Sequence, residues 1–256
     1  MRIGLAQLNI QWESKSENFK LAEIFIEKAS HQKCDVVVFP EMFNTGFSMN
    51  VPSIAEKKNG ETARFLAIQA VQNDINIIAG YTVKGYEGTK GLNQGFVYNR
   101  KGKSVAIFTK MHSFSFANED QYYSAGNKVV TFDIEGLSSS IFICFDLRFP
   151  EVFRKVAKKV QAIFVLANWP STRMEHWDSL LKARAIENQC FIIGVNRTGR
   201  DGNGIDYSGK SKIFGPLGNE ICCGSEKEEL LIGEIFPHEV IEIRKKFPFL
   251  NSMGTL

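Results

Sequence analysis

Runs of consecutive apolar residues recur throughout the 256-residue chain and constrain its fold more than any other feature. Four of these runs lie at Asp35–Phe39, Ile75–Ala79, Ala162–Leu166 and Phe191–Val195. A strand with one face in water alternates apolar and polar side chains, whereas a strand that is covered on both faces shows no such alternation. The sequence therefore predicts sheets whose strands are buried on both faces.

Helix signals separate these predicted strands. Ser14 and Glu17 have the spacing of a capping box, which predicts a helix over about residues 17–31. A proline suits the first position of a second helix, expected over residues 150–159. The alternation of strands and helices indicates the α/β (α+β) class, with helices packed outside the sheets. Since no repeat or linker interrupts the pattern, we expect a single domain over residues 1–256.

The composition excludes several classes of protein. Hydrophobic residues make up 44% of the chain and charged residues 23%, which is typical of a globular protein and excludes intrinsic disorder. No apolar run approaches the roughly 18 residues that a membrane-spanning helix needs. The net charge of +3 is too small to favour nucleic acid or an anionic membrane. We therefore expect neither of these as the main partner.

The cysteines indicate a reduced environment. There are five, at positions 34, 144, 190, 222 and 223, and none belongs to a Cys-x-x-Cys pair, so we expect no zinc site. Met1–Leu5 enters an apolar pattern directly, without the layout of an export signal. We accordingly expect a cytoplasmic protein without disulfide bonds and without a bound metal.

Three predicted strands end in polar residues that can carry chemistry. Glu41, Cys144 and Asn168 each lie within three positions of such a strand end. Ligand sites of α/β sheets often lie beyond the carboxyl ends of the strands. The pattern therefore predicts that these three side chains meet in one site.

Cys144 is the strongest candidate nucleophile, because it lies between an apolar strand and the helix expected from Pro150. A sharp strand-to-helix turn exposes a side chain and directs backbone amides toward the reaction centre. Glu41, in an apolar setting, can act as a general base, and Lys110 can face a developing oxyanion. The residues alone also allow a buried structural cysteine, a solvated glutamate and a surface lysine.

Two other interpretations remain open at this point. A hydrolase with Cys–His chemistry needs an imidazole beside the nucleophile, and His112 and His176 are the two contenders. A protein that only binds ligands needs no catalytic set. The glycine-rich segment Gly199–Gly204 lacks the lysine–serine pair of a phosphate-binding loop, and we assign it to turns.

The motifs together resemble those of the nitrilase superfamily of carbon–nitrogen hydrolases over essentially the whole chain. The matching segments are Phe39–Phe43 (FPEMF), Lys110–His112 (KMH) and Ile143–Glu151 (ICFDLRFPE). The resemblance implies a four-layer α-β-β-α sandwich that forms a homodimer, and it implies no metal or organic cofactor.

The same resemblance implies roles for individual residues. Cys144 would be the nucleophile, Glu41 the general base and Lys110 the stabiliser of the oxyanion, together with the backbone N–H of Phe145. Glu119 would orient the lysine, because it matches a second glutamate between the lysine and cysteine motifs. Retention of the whole set argues for an enzyme.

Further segments look like the omega-amidase branch, above all Asn168–Arg173 (NWPSTR) and Ala183–Gln189 (ARAIENQ). This implies hydrolysis of the ω-amide of a short dicarboxylic acid monoamide, such as 2-oxoglutaramate or 2-oxosuccinamate, to the dicarboxylate and ammonia. Nitrilase or N-carbamoyl amidase activity remains the alternative.

Such a substrate needs a cation for its free carboxylate. Arg173 is the first choice for this cation. Arg148 is the second choice, because an arginine four residues after Cys144 would ordinarily form an internal ion pair. Asn168 and four aromatic side chains are expected to line the rest of the substrate site: Phe43, Phe116, Phe145 and Trp169.

Overall fold

A computed structural model describes residues 1–85 and 90–254 of the chain. Within these residues the helices are α1 (Lys15–His31), α2 (Val51–Ile54), α3 (Glu61–Gln72), α4 (Glu119–Tyr122), α5 (Pro150–Arg154), α6 (Met174–Asn188) and α7 (Pro237–Lys246). The strands are β1 (Arg2–Gln7), β2 (Val36–Val38), β3 (Asn76–Lys84), β4 (Gly91–Tyr98), β5 (Ser104–Thr109), β6 (Thr131–Ile134), β7 (Leu137–Ile143), β8 (Ala162–Ala167), β9 (Phe191–Asn196), β10 (Thr198–Arg200), β11 (Asp206–Ser208), β12 (Lys212–Phe214), β13 (Glu220–Cys223) and β14 (Glu229–Glu234).

The strands form two large sheets and one small hairpin. The first sheet has the order β14-β1-β2-β3-β4-β5, and the second has the order β13-β12-β9-β8-β7-β6. Each sheet has a parallel centre, made of β1, β2 and β3 in the first and of β7, β8 and β9 in the second. The flanking strands are antiparallel, and β10 pairs with β11 in the hairpin.

Burial on both faces of the central strands is confirmed, and strand β2 shows how it arises. Val36 and Val38 pack into the core between the two sheets, together with Ile141 of β7. Val37 points to the opposite face and packs into a second core with Phe25 of α1 and Leu66 of α3. Successive side chains of a strand point to opposite faces, so a strand covered on both sides must be apolar throughout.

The layers follow from these two cores. Helices α1 and α3 cover the outer face of the first sheet. Helix α6 covers the outer face of the second sheet through Trp177, Leu181 and Ala185, and α5 packs beside it. The expected four-layer α-β-β-α sandwich is confirmed. No helix in the described part of the chain is long and apolar enough to cross a membrane.

Two details of the predicted helices were wrong. Helix α1 begins at Lys15, two residues early, and the Ser14 side chain makes no capping hydrogen bond. The helix expected over 150–159 ends at Arg154, and a separate 3-10 turn covers Ala157–Lys159. The missing hydrogen bond of Ser14 has a local cause. Short polar side chains have many alternative hydrogen-bond partners, and the spacing alone does not select one.

A cluster of charges lies at the end of the sheets where β2 and β7 begin. Arg100, in the turn between β4 and β5, pairs with Asp35 at 3.4 Å, with Asp74 at 3.6 Å and with Glu135. Glu135 belongs to the turn that precedes β7, so the cluster ties the first sheet to the second. The Arg100 side chain is 29% exposed.

Candidate active site

The three polar strand ends that the sequence singled out meet at the opposite end of the sheets. The backbone N–H of Asn168 donates to Glu41 Oε2 at 3.0 Å, and its side-chain amide donates to the Glu41 carbonyl at 2.6 Å. Cys144 Sγ lies 3.8 Å from the Asn168 carbonyl oxygen. Glu41 follows β2, Cys144 follows β7 and Asn168 follows β8, so the carboxyl ends of these parallel strands build the site.

Lys110 connects Glu41 to Glu119. Its Nζ lies 3.0 Å from Glu41 Oε1 and 3.0 and 2.9 Å from the two carboxylate oxygens of Glu119. The two carboxylates are fully buried and the lysine side chain is 3% exposed. Asn93 of β4 donates to both carboxylates, at 2.7 and 3.0 Å. One cation is therefore fixed between two anions beside the cysteine.

Burial and charge act in opposite directions on the lysine. Burial alone lowers the pKa of Lys110, but the negative charges of Glu119 and then of Glu41 outweigh it and raise that pKa. Breaking such a buried pair leaves an uncompensated charge, which typically costs 3–5 kcal/mol or so. Lys110 thus stays an ammonium group and can face a developing negative charge.

The cysteine is held in its neutral form. Burial raises the pKa of Cys144 well above its ordinary value, and the nearby charge of Glu41 raises it further, while Lys110 acts in the opposite direction. A thiol of this kind needs a base to remove its proton when it attacks. Among the described residues, Glu41 is the carboxylate that lines the same cavity as the thiol.

The backbone around the two reactive residues is tightly constrained. Cys144 has a φ of +45° and Met42, directly after Glu41, has a φ of +46°. Such left-handed conformations cost of the order of 1–3 kcal/mol in a residue other than glycine. Gly80 of β3 lies against the same turn, where a Cβ atom would come within 2.9 Å of Glu41 Cα and 3.1 Å of the Met42 nitrogen. The position of Glu41 therefore depends on the missing side chain at Gly80.

A cavity of about 430 Å³ opens from these residues to the surface, a volume within the usual range for small-molecule sites. Five of the residues that were proposed as substrate contacts line it: Phe116, Phe145, Trp169, Arg173 and Asn168. Phe116 is 89% exposed and stands at the rim.

Phe43 is not part of this lining. Its ring is fully buried in the core beneath α1 and α3, 5.2 Å from the Phe39 ring and 6.4 Å from the Phe19 ring. The prediction of a substrate contact was wrong, because Glu41 opens a turn that directs Phe43 behind the site. Phe47, four residues later, lines the cavity, and its ring centre is 5.1 Å from Lys110 Nζ.

Two arginines also line the cavity. The guanidinium of Arg148 lies 5.0 Å from the Trp169 ring centre, and that of Arg173 lies 5.2 Å from the Phe114 ring centre. Burial and the charge of Arg173 lower the pKa of Arg148. Across residues 1–85 and 90–254 neither guanidinium pairs with a carboxylate. The ion pair that would have explained Arg148 is therefore not found.

Neither candidate histidine is bonded to the cysteine. His112 Nδ1 lies 2.8 Å from Asp146 Oδ1, and His176 Nδ1 lies 3.1 Å from an Arg148 nitrogen. In the described part of the chain no hydrogen bond joins either ring to Cys144, whose charged neighbours are Glu41, Lys110 and Glu119. The geometry therefore favours a Cys–Glu–Lys arrangement over a Cys–His arrangement.

Some lining and supporting residues were not predicted. Asn93 donates a hydrogen bond to each of the two carboxylates. The sequence signal that could have identified it is a polar residue in a strand that is otherwise largely buried. Met49 lines the cavity from a loop, Asn203 comes from the glycine-rich segment that was assigned to turns, and Tyr207 belongs to β11. Loop residues of this kind reach a site through tertiary packing, which local sequence patterns do not report.

The described residues hold no group of three or more His, Cys, Asp or Glu side chains arranged to bind a metal ion.

Comparisons with known proteins agree with this geometry. The profile of the carbon–nitrogen hydrolase family matches residues 2–245. A 2-oxoglutaramate amidase of Bacillus subtilis is 35% identical over 253 residues, which cover 98% of this chain and 96% of that protein. Omega-amidase YafV of Escherichia coli K12 is 32% identical, with 97% and 94% covered. The crystal structure of XC1258 from Xanthomonas campestris, a CN-hydrolase superfamily protein with an arsenic adduct in its active site, superimposes with a TM-score of 0.94 at 30% identity and covers 100% of this chain and 98% of its own.

Proposed function

The chain belongs to the carbon–nitrogen hydrolase family of the nitrilase superfamily, and from this premise we propose that it is an omega-amidase. Its substrate is the ω-amide of a short dicarboxylic acid monoamide, with 2-oxoglutaramate and 2-oxosuccinamate as the leading candidates. One observation carries the proposal: a thiol, a carboxylate and a buried cation line the same cavity as two arginines that pair with no carboxylate within residues 1–85 and 90–254. This combination suits a molecule that carries both an amide and a free carboxylate.

The first half of the reaction forms a thioester. Glu41 accepts the proton of the Cys144 thiol while the sulfur attacks the amide carbon, and the carbonyl oxygen becomes an oxyanion. Lys110 and the backbone N–H of Phe145 stabilise this oxyanion, and removal of one such donor typically costs about 10²–10³ in kcat. When the tetrahedral intermediate collapses, the C–N bond breaks and Glu41 returns the proton to the departing ammonia.

The second half hydrolyses the thioester. Glu41, again a carboxylate, accepts a proton from water while the water oxygen attacks the acyl carbon. The C–S bond then breaks, the proton passes back to the sulfur, and the dicarboxylate leaves. The new carboxylic acid group gives its proton to ammonia in solution, so the net change is amide plus water to carboxylate plus ammonium, and every group of the enzyme returns to its starting state.

Glu119 supports this cycle without entering it. It holds two of the hydrogen bonds of Lys110 and also accepts the backbone N–H of Phe114 at 2.6 Å. Because Glu119 supplies a second negative charge, Lys110 keeps its proton when Glu41 becomes neutral during catalysis. Glu119 therefore orients the cation and keeps it charged through the whole reaction.

Arg173 is the proposed partner of the substrate carboxylate, and Arg148 stands beside it. Neither guanidinium pairs with a carboxylate in the described part of the chain, so both have donors available for an incoming anion, and one Arg148 nitrogen also bonds His176 Nδ1. Phe116, Phe145 and Trp169 form apolar walls for the short carbon chain and help to exclude water.

The proposal is tested by measuring ammonia release from a panel of compounds at matched concentrations. The panel contains 2-oxoglutaramate, 2-oxosuccinamate, succinamate, propionamide, a short nitrile and an N-carbamoyl amino acid. We expect kcat/KM to be largest for the charged ω-amides and absent in Cys144→Ala. Turnover of the nitrile or the carbamoyl compound with no turnover of any ω-amide would overturn the substrate class.

We propose in addition that the protein is a cytoplasmic homodimer. Ile186 on α6, Leu217 beside Gly218, and Phe249 in the last 3-10 turn are 48%, 56% and 65% exposed. Gly218 lies directly against Ile186, and Gln189, which follows α6, bonds the Phe247 carbonyl. Apolar side chains grouped around the end of one helix suit a self-complementary interface. Sedimentation equilibrium at micromolar concentration is expected to give twice 28.8 kDa, and a monomer mass would contradict the proposal.

A further inference from the structure

Asp146 is a fully buried carboxylate two residues after the proposed nucleophile, and the reaction described above does not use it. Its Oδ2 accepts the backbone N–H of Ile143 at 3.2 Å. Its Oδ1 accepts the backbone N–H of His112 at 2.9 Å and the ring N–H at His112 Nδ1 at 2.8 Å. Burying a carboxylate costs free energy unless such donors satisfy it. A carboxylate that is buried and held in this way therefore calls for a functional explanation.

The first function is to hold the turn that carries Cys144. The residues from Cys144 to Arg148 form a 3-10 turn, and it begins with the left-handed cysteine. That conformation persists only where the surroundings enforce it. The Asp146 side chain bonds the residue before the cysteine, and its carbonyl accepts the backbone N–H of Phe149 at 3.0 Å, so Asp146 fixes the turn from both sides.

The second function is to tie this turn to the segment of the cation. His112 lies two residues after Lys110, directly beyond β5. Its ring stacks on Phe149 with 3.8 Å between ring centres and 9° between planes, so its orientation is fixed. One carboxylate thus connects the backbone that carries the nucleophile with the backbone that carries the lysine.

From this juxtaposition we infer that Asp146 and His112 are a positioning pair that sets the place of Cys144 Sγ relative to Lys110 Nζ. The inference rests on the proposed function, because it assigns the pair to a reaction in which sulfur and ammonium act on one carbonyl group. His112 does not touch the reacting atoms. It acts through Asp146, which in turn acts through the backbone of the turn.

The test separates the hydrogen bond from the packing of the ring. His112→Phe keeps a ring that can stack on Phe149 but removes the N–H donor to Asp146. His112→Asn loses the ring but places an amide N–H where Nδ1 stood. His31→Phe, at the exposed end of α1, is the matched control for the substitution itself.

Four quantities are measured for each variant. They are kcat and KM for the best ω-amide, the second-order rate of alkylation of Cys144 by iodoacetamide (followed by mass spectrometry), and the melting temperature. We expect His112→Phe to lower kcat about tenfold or more, because Asp146 loses a donor that holds the Cys144 turn and a small misplacement of reacting groups is costly, while KM changes less than about twofold. Alkylation of Cys144 slows in parallel. His112→Asn restores kcat and the alkylation rate to within about threefold of wild type, and His31→Phe changes neither.

Two outcomes overturn the inference. A lower melting temperature in His112→Phe with unchanged kcat and unchanged alkylation makes the pair merely structural. Equal losses in His112→Phe and His112→Asn show that the hydrogen bond to Asp146 is not what matters. Alkylation needs no amide substrate, so the inference can be judged by this readout even if the protein hydrolyses no ω-amide.

Discussion

Strands β2 and β7 have one cluster of charges near their amino ends and another near their carboxyl ends. The two clusters differ in their exposure to water, and this difference decides which of them can serve catalysis. At the amino ends Arg100 joins Asp35, Asp74 and Glu135. At the carboxyl ends Lys110 joins Glu41 and Glu119. Both consist of one cation among carboxylates, and both reach the second sheet, the first through Glu135 and the second through the hydrogen bond from Asn168 to Glu41.

The difference is access to water. The Arg100 side chain is 29% exposed and Asp74 is 85% exposed, whereas the Lys110 side chain is 3% exposed and both its partners are fully buried. Water screens the first cluster, so each pair contributes at most about 1 kcal/mol. Without water the second cluster interacts strongly and is costly to disturb, and this makes it able to shift proton affinities and to face an oxyanion.

The largest effect on activity is expected when a glutamate is replaced by glutamine in each of the two clusters. Glu41→Gln removes the proposed base, and we expect kcat to fall by about 10²–10⁴ because proton transfer typically supplies that factor. Glu135→Gln at the other end leaves kcat unchanged. Steady-state ammonia release measures both. Comparable activity in the two variants would remove the distinction between the clusters.

A reciprocal exchange of cations comes second. Lys110→Arg is expected to lower kcat by about 10²–10³, because a planar guanidinium does not fit the compact site of an ammonium that serves as an oxyanion donor. Arg100→Lys is the matched control, and it keeps a charge in a site open to water. Near-normal turnover in Lys110→Arg, with the circular dichroism spectrum of the wild type, would return Lys110 to a structural role.

The unpaired arginines give the third prediction. Arg173→Ala is expected to raise KM for 2-oxoglutaramate by about tenfold to a hundredfold, since a hydrogen bond to a charged group is worth about 1.5–3 kcal/mol. Hydrolysis of propionamide, which carries no carboxylate, stays unchanged. Equal losses on both substrates, or no loss on either, would exclude Arg173 from carboxylate recognition.

The smallest effect concerns stability and pH. The hydrogen bond from Arg100 lowers the pKa of Glu135, so this pair stabilises the fold above the unfolded-state pKa of a glutamate, and the contribution is lost as the pH falls through the lowered value. Glu135→Gln is therefore expected to lower the free energy of unfolding by no more than about 1 kcal/mol at pH 7, because both side chains are partly in water. Urea unfolding at pH 7 and at pH 3 measures it. A difference from wild type that grows in acid would contradict the assignment.

The sequence predicted the framework of the site well, and the reason is periodicity. The apolar strand at 36–38 has to be buried on both faces, and its carboxyl end has to meet those of its parallel neighbours. Glu41, Cys144 and Asn168 were therefore brought together by a property of whole strands. Lys110 and Glu119 needed the family resemblance, since a single lysine and a single glutamate carry no such pattern.

The parts that failed depend on single turns. Phe43 was expected in the cavity, but a positive φ at Met42 sends the chain behind the site and puts Phe47 there instead. An internal ion pair was the alternative role for Arg148, and within the described residues its guanidinium instead lies over Trp169, near a second cation. Backbone dihedral angles and the distances between remote side chains are set by tertiary packing, which local spacing does not encode.

Gly80 has a consequence for reading genetic variation in this protein. A change of Gly80 to alanine or serine in β3 adds a few atoms far from any charged group in the sequence, and a substitution table would score it as mild. The added Cβ would displace the turn of Glu41, so an allele of this kind is expected to lower enzyme activity.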